Sequence, residues 1–271
     1  MNISVMEMDN STFVYVNKTE VYEHVPENVN QAVRLRLCVD KDWPAEDSKN
    51  PLYSLGESKN FWRTGQTLRI KFMAAYAGSA YVQEKVRHYA NEWLEYANLK
   101  FDWLPVGSKK KAHIRIAFKE GDGNWSDLGK NSRKTAANEP TMNFDGFTDD
   151  PSDEAYLKSA TLHEFGHALG LLHEHHNPEG GIQWNKPVVF AYYLDMFGWD
   201  AAKTEYNLFK KYAKNKTQYT AYDPKSIMGY PIPEEHTLNG YSVADPTELS
   251  TTDKKFIASV YPGRLTVQKY L

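Results

Sequence analysis

Short alternating strands and the helices between and after them predict an α+β fold. Period-two alternation marks short strands at Thr67–Phe72 and Ala112–Phe118. A long helical stretch, residues 80–98, lies between them. Further helices follow at Ser159–Leu169, within residues 188–213, and at Thr252–Tyr261.

Upstream, Val33, Leu35, Leu37 and Val39 alternate with Arg34, Arg36, Cys38 and Asp40, the pattern of a half-buried strand. Residues 42–60 are rich in Asp, Glu, Ser, Lys and Pro, which predicts a loop or linker. In Thr67–Phe72 the side chains of Leu68, Ile70 and Phe72 share one face. Val82, Val86, Trp93, Leu94 and Ala97 share one side of the 80–98 helix, which predicts a backing helix with a buried stripe. Glu120–Asn124 reads as a turn, and the last helix begins after a capping Ser250.

The chain has 271 residues, enough to bury a sizeable core without staples. Apolar residues make up 41%, the composition of a globular protein. A net charge of −3, with the basic residues of 186–255 scattered, predicts no basic patch and no nucleic-acid partner. Cys38 is the one cysteine, so no intrachain disulfide can form. The first 30 residues lack an apolar run flanked by basic residues, so no ordinary signal peptide is expected. No stretch approaches the ~20 apolar residues of a membrane span. A soluble monomer is expected. The cytosol and a signal-independent export route both agree with this.

The chemistry is concentrated at residues 163–173, which read H-E-F-G-H-A-L-G-L-L-H. This fills every fixed position of H-E-x-x-H-x-x-G-x-x-H. His163 and His167 lie four apart, so a helix puts them on one face, about 40° apart. Gly170 can take the left-handed conformation that ends a helix, which lets the chain turn and bring in His173. Three imidazoles with one open position suit a catalytic Zn2+. Glu164 sits where it can act as general base on a water. His175 and His176 follow closely, but a second metal there is not expected. His24, His88, His113 and His236 are isolated.

Downstream, residues 222–230 read Y-D-P-K-S-I-M-G-Y. The zinc motif followed by Ser226-Ile227-Met228 resembles the metzincin clan of zinc endopeptidases. Tyr230 and Glu174 narrow the resemblance to the astacin-like branch, in particular a bacterial astacin-type group, over roughly residues 60–263. The resemblance implies a metzincin-like fold: a mixed twisted sheet, a backing helix, an active-site helix and a smaller C-terminal lower part. It implies a metalloendopeptidase that binds a peptide or protein substrate in extended form. Met228 would pack under the histidines. Tyr230 would be a weak, switchable zinc ligand that stabilises the transition state. Thr141–Phe144 would be the edge strand beside the cleft. Glu174 would pair with a backbone amine or a nearby cation. Residues 61–271 would form the catalytic domain, its upper part ending near 170 and its lower part spanning 171–271. The single cysteine departs from animal astacins, which carry two disulfides.

Metzincins often carry an inhibitory N-terminal segment, and residues 1–60 could be one. Cys38 then has two readings. As a thiolate it could block the open zinc position, favoured by its face-mates Arg34 and Arg36; Asp40 and Asp42 are rival blockers. As a free cysteine it could be a small buried apolar residue, and this is the preferred expectation. A latent or non-catalytic zinc-binding module is the alternative to an active endopeptidase. Glu164 argues against the non-catalytic form, because a purely structural site needs no base.

Overall fold

The computed structural model describes residues 4–8, 11–16, 19–22, 38, 60–211 and 220–264. Strands β1 (Ser4–Met8), β2 (Ser11–Val16) and β3 (Thr19–Tyr22) form an antiparallel meander. The expected strand at residues 33–39 lies outside the described residues except for Cys38.

The main sheet contains β4 (Thr67–Phe72), β5 (Lys100–Trp103), β6 (Ile114–Ala117), β7 (Trp125–Ser126) and β8 (Met142–Asn143). Its order is β5-β4-β6-β8-β7, parallel throughout except for the antiparallel β7–β8 pair. β8 therefore has neighbours on both sides, and β7 is the edge strand at that end of the sheet. This corrects the expectation that Thr141–Phe144 forms the edge strand. Two-residue strands are too short to show a period, so their order could not be read from alternation.

A parallel pair needs a crossover, and helix α1 (Ala80–Glu92) supplies it between β4 and β5. The Ser79 side chain caps α1 by accepting from Val82 N. The helix ends earlier than predicted, passing into a 3-10 turn at Trp93–Glu95. Val82, Val86, Ala90 and Trp93 join Leu68, Ile70 and Phe72 in one core. Each such large apolar side chain contributes roughly 1.5–3 kcal/mol on full burial.

The second helix, α2 (Glu154–Ala168), crosses this core and packs on α1. Twelve of its fifteen residues are buried, so it shows almost no polar face. Trp93 Nε1 donates to Leu162 O at 3.0 Å and ties the two helices. At the helix start Lys85 pairs with Glu154 at 2.6 Å, but both side chains meet solvent, so apolar burial decides the position.

The lower part holds α3 (Lys186–Phe197), which is closed by Gly198 at φ 62°, and a short α4 (Ala201–Thr204) that runs into a π-helical turn. Val189, Tyr193, Trp199, Leu208 and Phe209 form a second core there. Helix α5 (Thr251–Val260) opens with a reciprocal capping box between Ser250 and Asp253. Among the described residues no helix is long and apolar enough to cross a membrane.

Candidate metal centre

The C-terminal half of α2 carries His163, Glu164 and His167, all buried. The helix stops in a Schellman turn. Gly170 N–H donates to His167 O at 2.8 Å and Leu171 N–H to Gly166 O at 2.9 Å. Gly170 sits at φ 101°, and a Cβ there would lie 2.6 Å from the Phe61 ring, so glycine is required twice over. The turn swings His173 back onto the helix. It also aims Leu171 O at His167, whose Nδ1 lies 2.8 Å away. Ile227 O stands 2.7 Å from His163 Nδ1 in the same way.

Those carbonyls can only accept, so both Nδ1 atoms carry the proton and both Nε2 atoms present lone pairs. His167 Nε2 lies 3.2 Å from His163 Nε2 and 3.1 Å from His173 Nε2. Burial holds the imidazoles neutral, pushing His163 down to about 4 and His167 to about 3. His173 is also held well below its usual range by burial first and by its histidine neighbours second. The facing lone pairs of His163 and His167 at 3.2 Å repel unless a cation sits among them. This donor set therefore fits zinc.

Below the histidines runs the turn Ser226–Tyr230. Met228 packs under α2, and only a glycine on the helix permits it: a Cβ at Gly166 would lie 2.2 Å from Met228 Sδ. Asp253 holds the turn from beneath. It accepts from Ser226 Oγ at 2.6 Å, Ile227 N at 2.8 Å and Ser250 N at 2.9 Å. Sequence reasoning missed both Gly166 and Asp253. The S-x-x-D capping pattern at 250–253 signalled a helix start, but nothing local pointed from it to residues 226–227. Gly166→Ala should destabilise the zinc-loaded protein by ~1–3 kcal/mol through overpacking against Met228, despite alanine's better helix propensity. A lowered Tm checks this, and an unchanged Tm would mean Met228 has room to move.

Tyr230 is buried, with its ring 4.7 Å from that of His173. Its hydroxyl donates to the backbone carbonyl of Cys38. Cys38 Sγ donates to Glu164 Oε2 at 3.4 Å. Ligand atoms of Cys38, His163, His167 and His173 all lie within 4.8 Å of one another. Cys38 also forms a parallel bridge with Asn124, just before edge strand β7. The cavity left beside Cys38, His163, Glu164 and Tyr230 measures only 20 Å³, little more than one water needs. Asp40 and Asp42 lie outside the described residues.

The remaining histidines divide. His175 and His176 are buried and both place Nε2 2.8 Å from Asn207 O, and with His173 they form a second three-histidine group. Glu174 accepts from Asp223 N and Asn177 Nδ2, each at 2.9 Å, and burial pushes its carboxyl up to about 7. His113 accepts from Arg69 N at 2.8 Å, on the opposite face of the sheet from the helices. His24 is outside the described residues.

Comparison with known proteins bears on the family. The family model described as matrixin, Peptidase_M10, matches residues 61–179. Among solved structures, one of myroilysin is 40% identical with a TM-score of 0.72, covering 78% of this chain and 99% of the other. A second structure of myroilysin is 36% identical with a TM-score of 0.61, covering 89% of this chain and 98% of the other. High choriolytic enzyme 1, a hatching-enzyme zinc protease from the medaka fish Oryzias latipes, matches at 16% identity and TM-score 0.51 over 75% of this chain and 95% of that one. That last similarity concerns the fold alone. No curated protein matches the sequence.

Proposed function

Because the chain belongs to the metzincin zinc endopeptidases, we propose that His163, His167 and His173 hold its zinc, with Glu164 as general base and residues 1–60 as a latency segment. Residues 61–271 are then the catalytic domain. The observation that carries this reading is a single buried cluster, in which the Cys38 thiol meets the three histidines and the Glu164 carboxylate.

When bound, zinc supplies Lewis-acid chemistry, acidifying water and polarising a carbonyl. Glu164 takes the proton of the attacking water and returns it to the leaving amine. The Tyr230 hydroxyl donates to the substrate oxygen as that oxygen becomes negative. An extended peptide adds along β7, so main-chain bonds give affinity and alternate side chains give specificity.

With residues 1–60 in place these groups are already engaged. Glu164 accepts from the Cys38 thiol, and Tyr230 donates to the Cys38 carbonyl. The bridge to Asn124 takes up backbone just before the edge that substrate would use. With zinc bound, the Cys38 thiol would lose its proton and, as a thiolate, would serve as the fourth ligand. One further observation supports an N-terminal segment shared with relatives. The 89% match to a myroilysin structure exceeds what residues 61–271 alone could supply, so it reaches into residues 1–60.

The test is cleavage of a general protein substrate after residues 1–60 have been removed. Cleavage that a chelator abolishes and zinc restores is the expected result. An inert zinc-loaded protein, or cleavage indifferent to chelator, would overturn the reading. In the same assay His167→Ala should lose zinc and activity together. Tyr230→Phe should lower kcat more than it raises KM, by roughly 10–10³-fold, because its hydroxyl acts in the transition state. An unchanged kcat would leave Tyr230 with packing alone.

A further inference from the structure

The sheet has a second face, away from the helices, and it is strongly basic. Along β4, Leu68, Ile70 and Phe72 are buried in the core, so the alternate residues Arg69 and Lys71 face the other way. Two loops rise beside them. One carries the exposed run Lys109–Lys111, and the other carries exposed Arg133 and Lys134. Between them lies a groove of 1140 Å³. Eight of its twenty lining residues are Lys or Arg, and none is Asp or Glu.

No carboxylate lines the groove, although Asp127 and Glu139 lie close enough to act on the charge of buried Arg115. Among the described residues, none of these cations makes an ion pair. The nearest acidic residue in the register is Asp102, the cross-strand partner of Arg69 on edge-strand β5, and it does not line the groove. Buried Arg115 uses its guanidinium to hold the far wall, donating to Glu139 O at 2.6 Å and to Thr135 O and Ala136 O at 3.1 Å. His113 in the floor is held below its usual range, by burial first and then by Arg69, Arg133 and Lys111. A net charge of −3 argues against a basic patch, yet the fold gathers one from three separate segments.

We propose that this groove is a binding site for an acidic polysaccharide bearing sulfate or uronate groups. The chemistry of the lining selects that class. Protein interfaces are depleted in lysine at their centre and enriched in aromatics, and this groove is the reverse. Single-stranded nucleic acid draws its affinity from stacking on aromatic side chains. The only rings in the lining are those of buried Phe72 and half-buried His113. Mobile lysine ammoniums instead suit a thin chain of closely spaced anions, recognised by charge density. The site lies on the face away from α2, so occupancy would tether the protein without filling the substrate cleft. The inference is independent of the catalytic reading.

The test uses the full chain and immobilised heparin oligosaccharide as the probe. Retention at about 0.15 M salt, weakening steeply as salt rises, is expected. Lys109→Ser/Lys110→Ser/Lys111→Ser and, separately, Arg133→Ser/Lys134→Ser should each weaken Kd at least about tenfold. All five positions are exposed, and unchanged zinc content and Tm would show that the variants fold. No retention of the parent chain would overturn the proposal, as would equal retention of both variants. So would displacement by a poly-glutamate peptide or a single-stranded oligonucleotide as effective as by free glycan.

Discussion

Glu164→Gln, made in the chain lacking residues 1–60, should keep its zinc and its fold and lose turnover by several orders of magnitude. The carboxylate lies on the buried end of α2, one residue from His163, with no other carboxylate among the residues around the cavity except Asp245. Asp245 is in contact with the Ser159 hydroxyl at 3.2 Å, a full turn earlier on the helix. Glutamine matches the shape of glutamate but cannot take a proton, so the loss should fall on kcat. Single-turnover hydrolysis of a peptide alongside elemental analysis measures both halves. Turnover within about tenfold of the parent would remove Glu164 from the mechanism.

Cys38→Ser in the full-length chain should have the opposite sign. A serine hydroxyl is a far weaker zinc ligand than a thiolate, so the segment would lose its hold on the metal while keeping its backbone bridge to Asn124. Basal proteolysis should rise, and residues 1–60 should be removed faster. The rise should be at least tenfold, because a metal–thiolate bond that holds a segment in place is worth more than the ~1.4 kcal/mol this factor represents. Equal activity and equal processing in parent and variant would make Cys38 a packing residue, the role its burial alone would suggest.

The parts of the site that the sequence disclosed are those built from local geometry. His163 and His167 share a face because of helical spacing, and Gly170 ends the helix because only glycine fits its φ and the Phe61 contact. Thr67–Phe72 and the 80–98 helix were readable because each buries one face. α2 is different: it is buried all round, so apart from its histidines it carried little periodic signal. Long-range relations were not readable. Asp253 reaches the Ser226–Ile227 turn across 26 and 27 residues, and Cys38 reaches Glu164 across 126. Alternation put Cys38 on a polar face, whereas in the structure it is buried against the histidines and Tyr230. The basic groove was hidden for the same reason. Its charges come from residues 69–71, 109–115 and 133–134, each unremarkable alone, and only the sheet brings them together.

With residues 1–60 in place, we propose that one zinc is held by three histidine nitrogens and the Cys38 sulfur. Zinc K-edge X-ray absorption reads that directly. The expected spectrum has one sulfur at about 2.3 Å and three nitrogens at about 2.0–2.1 Å, with the sulfur shell absent in Cys38→Ser. A parent spectrum fitted by nitrogen and oxygen alone would contradict it.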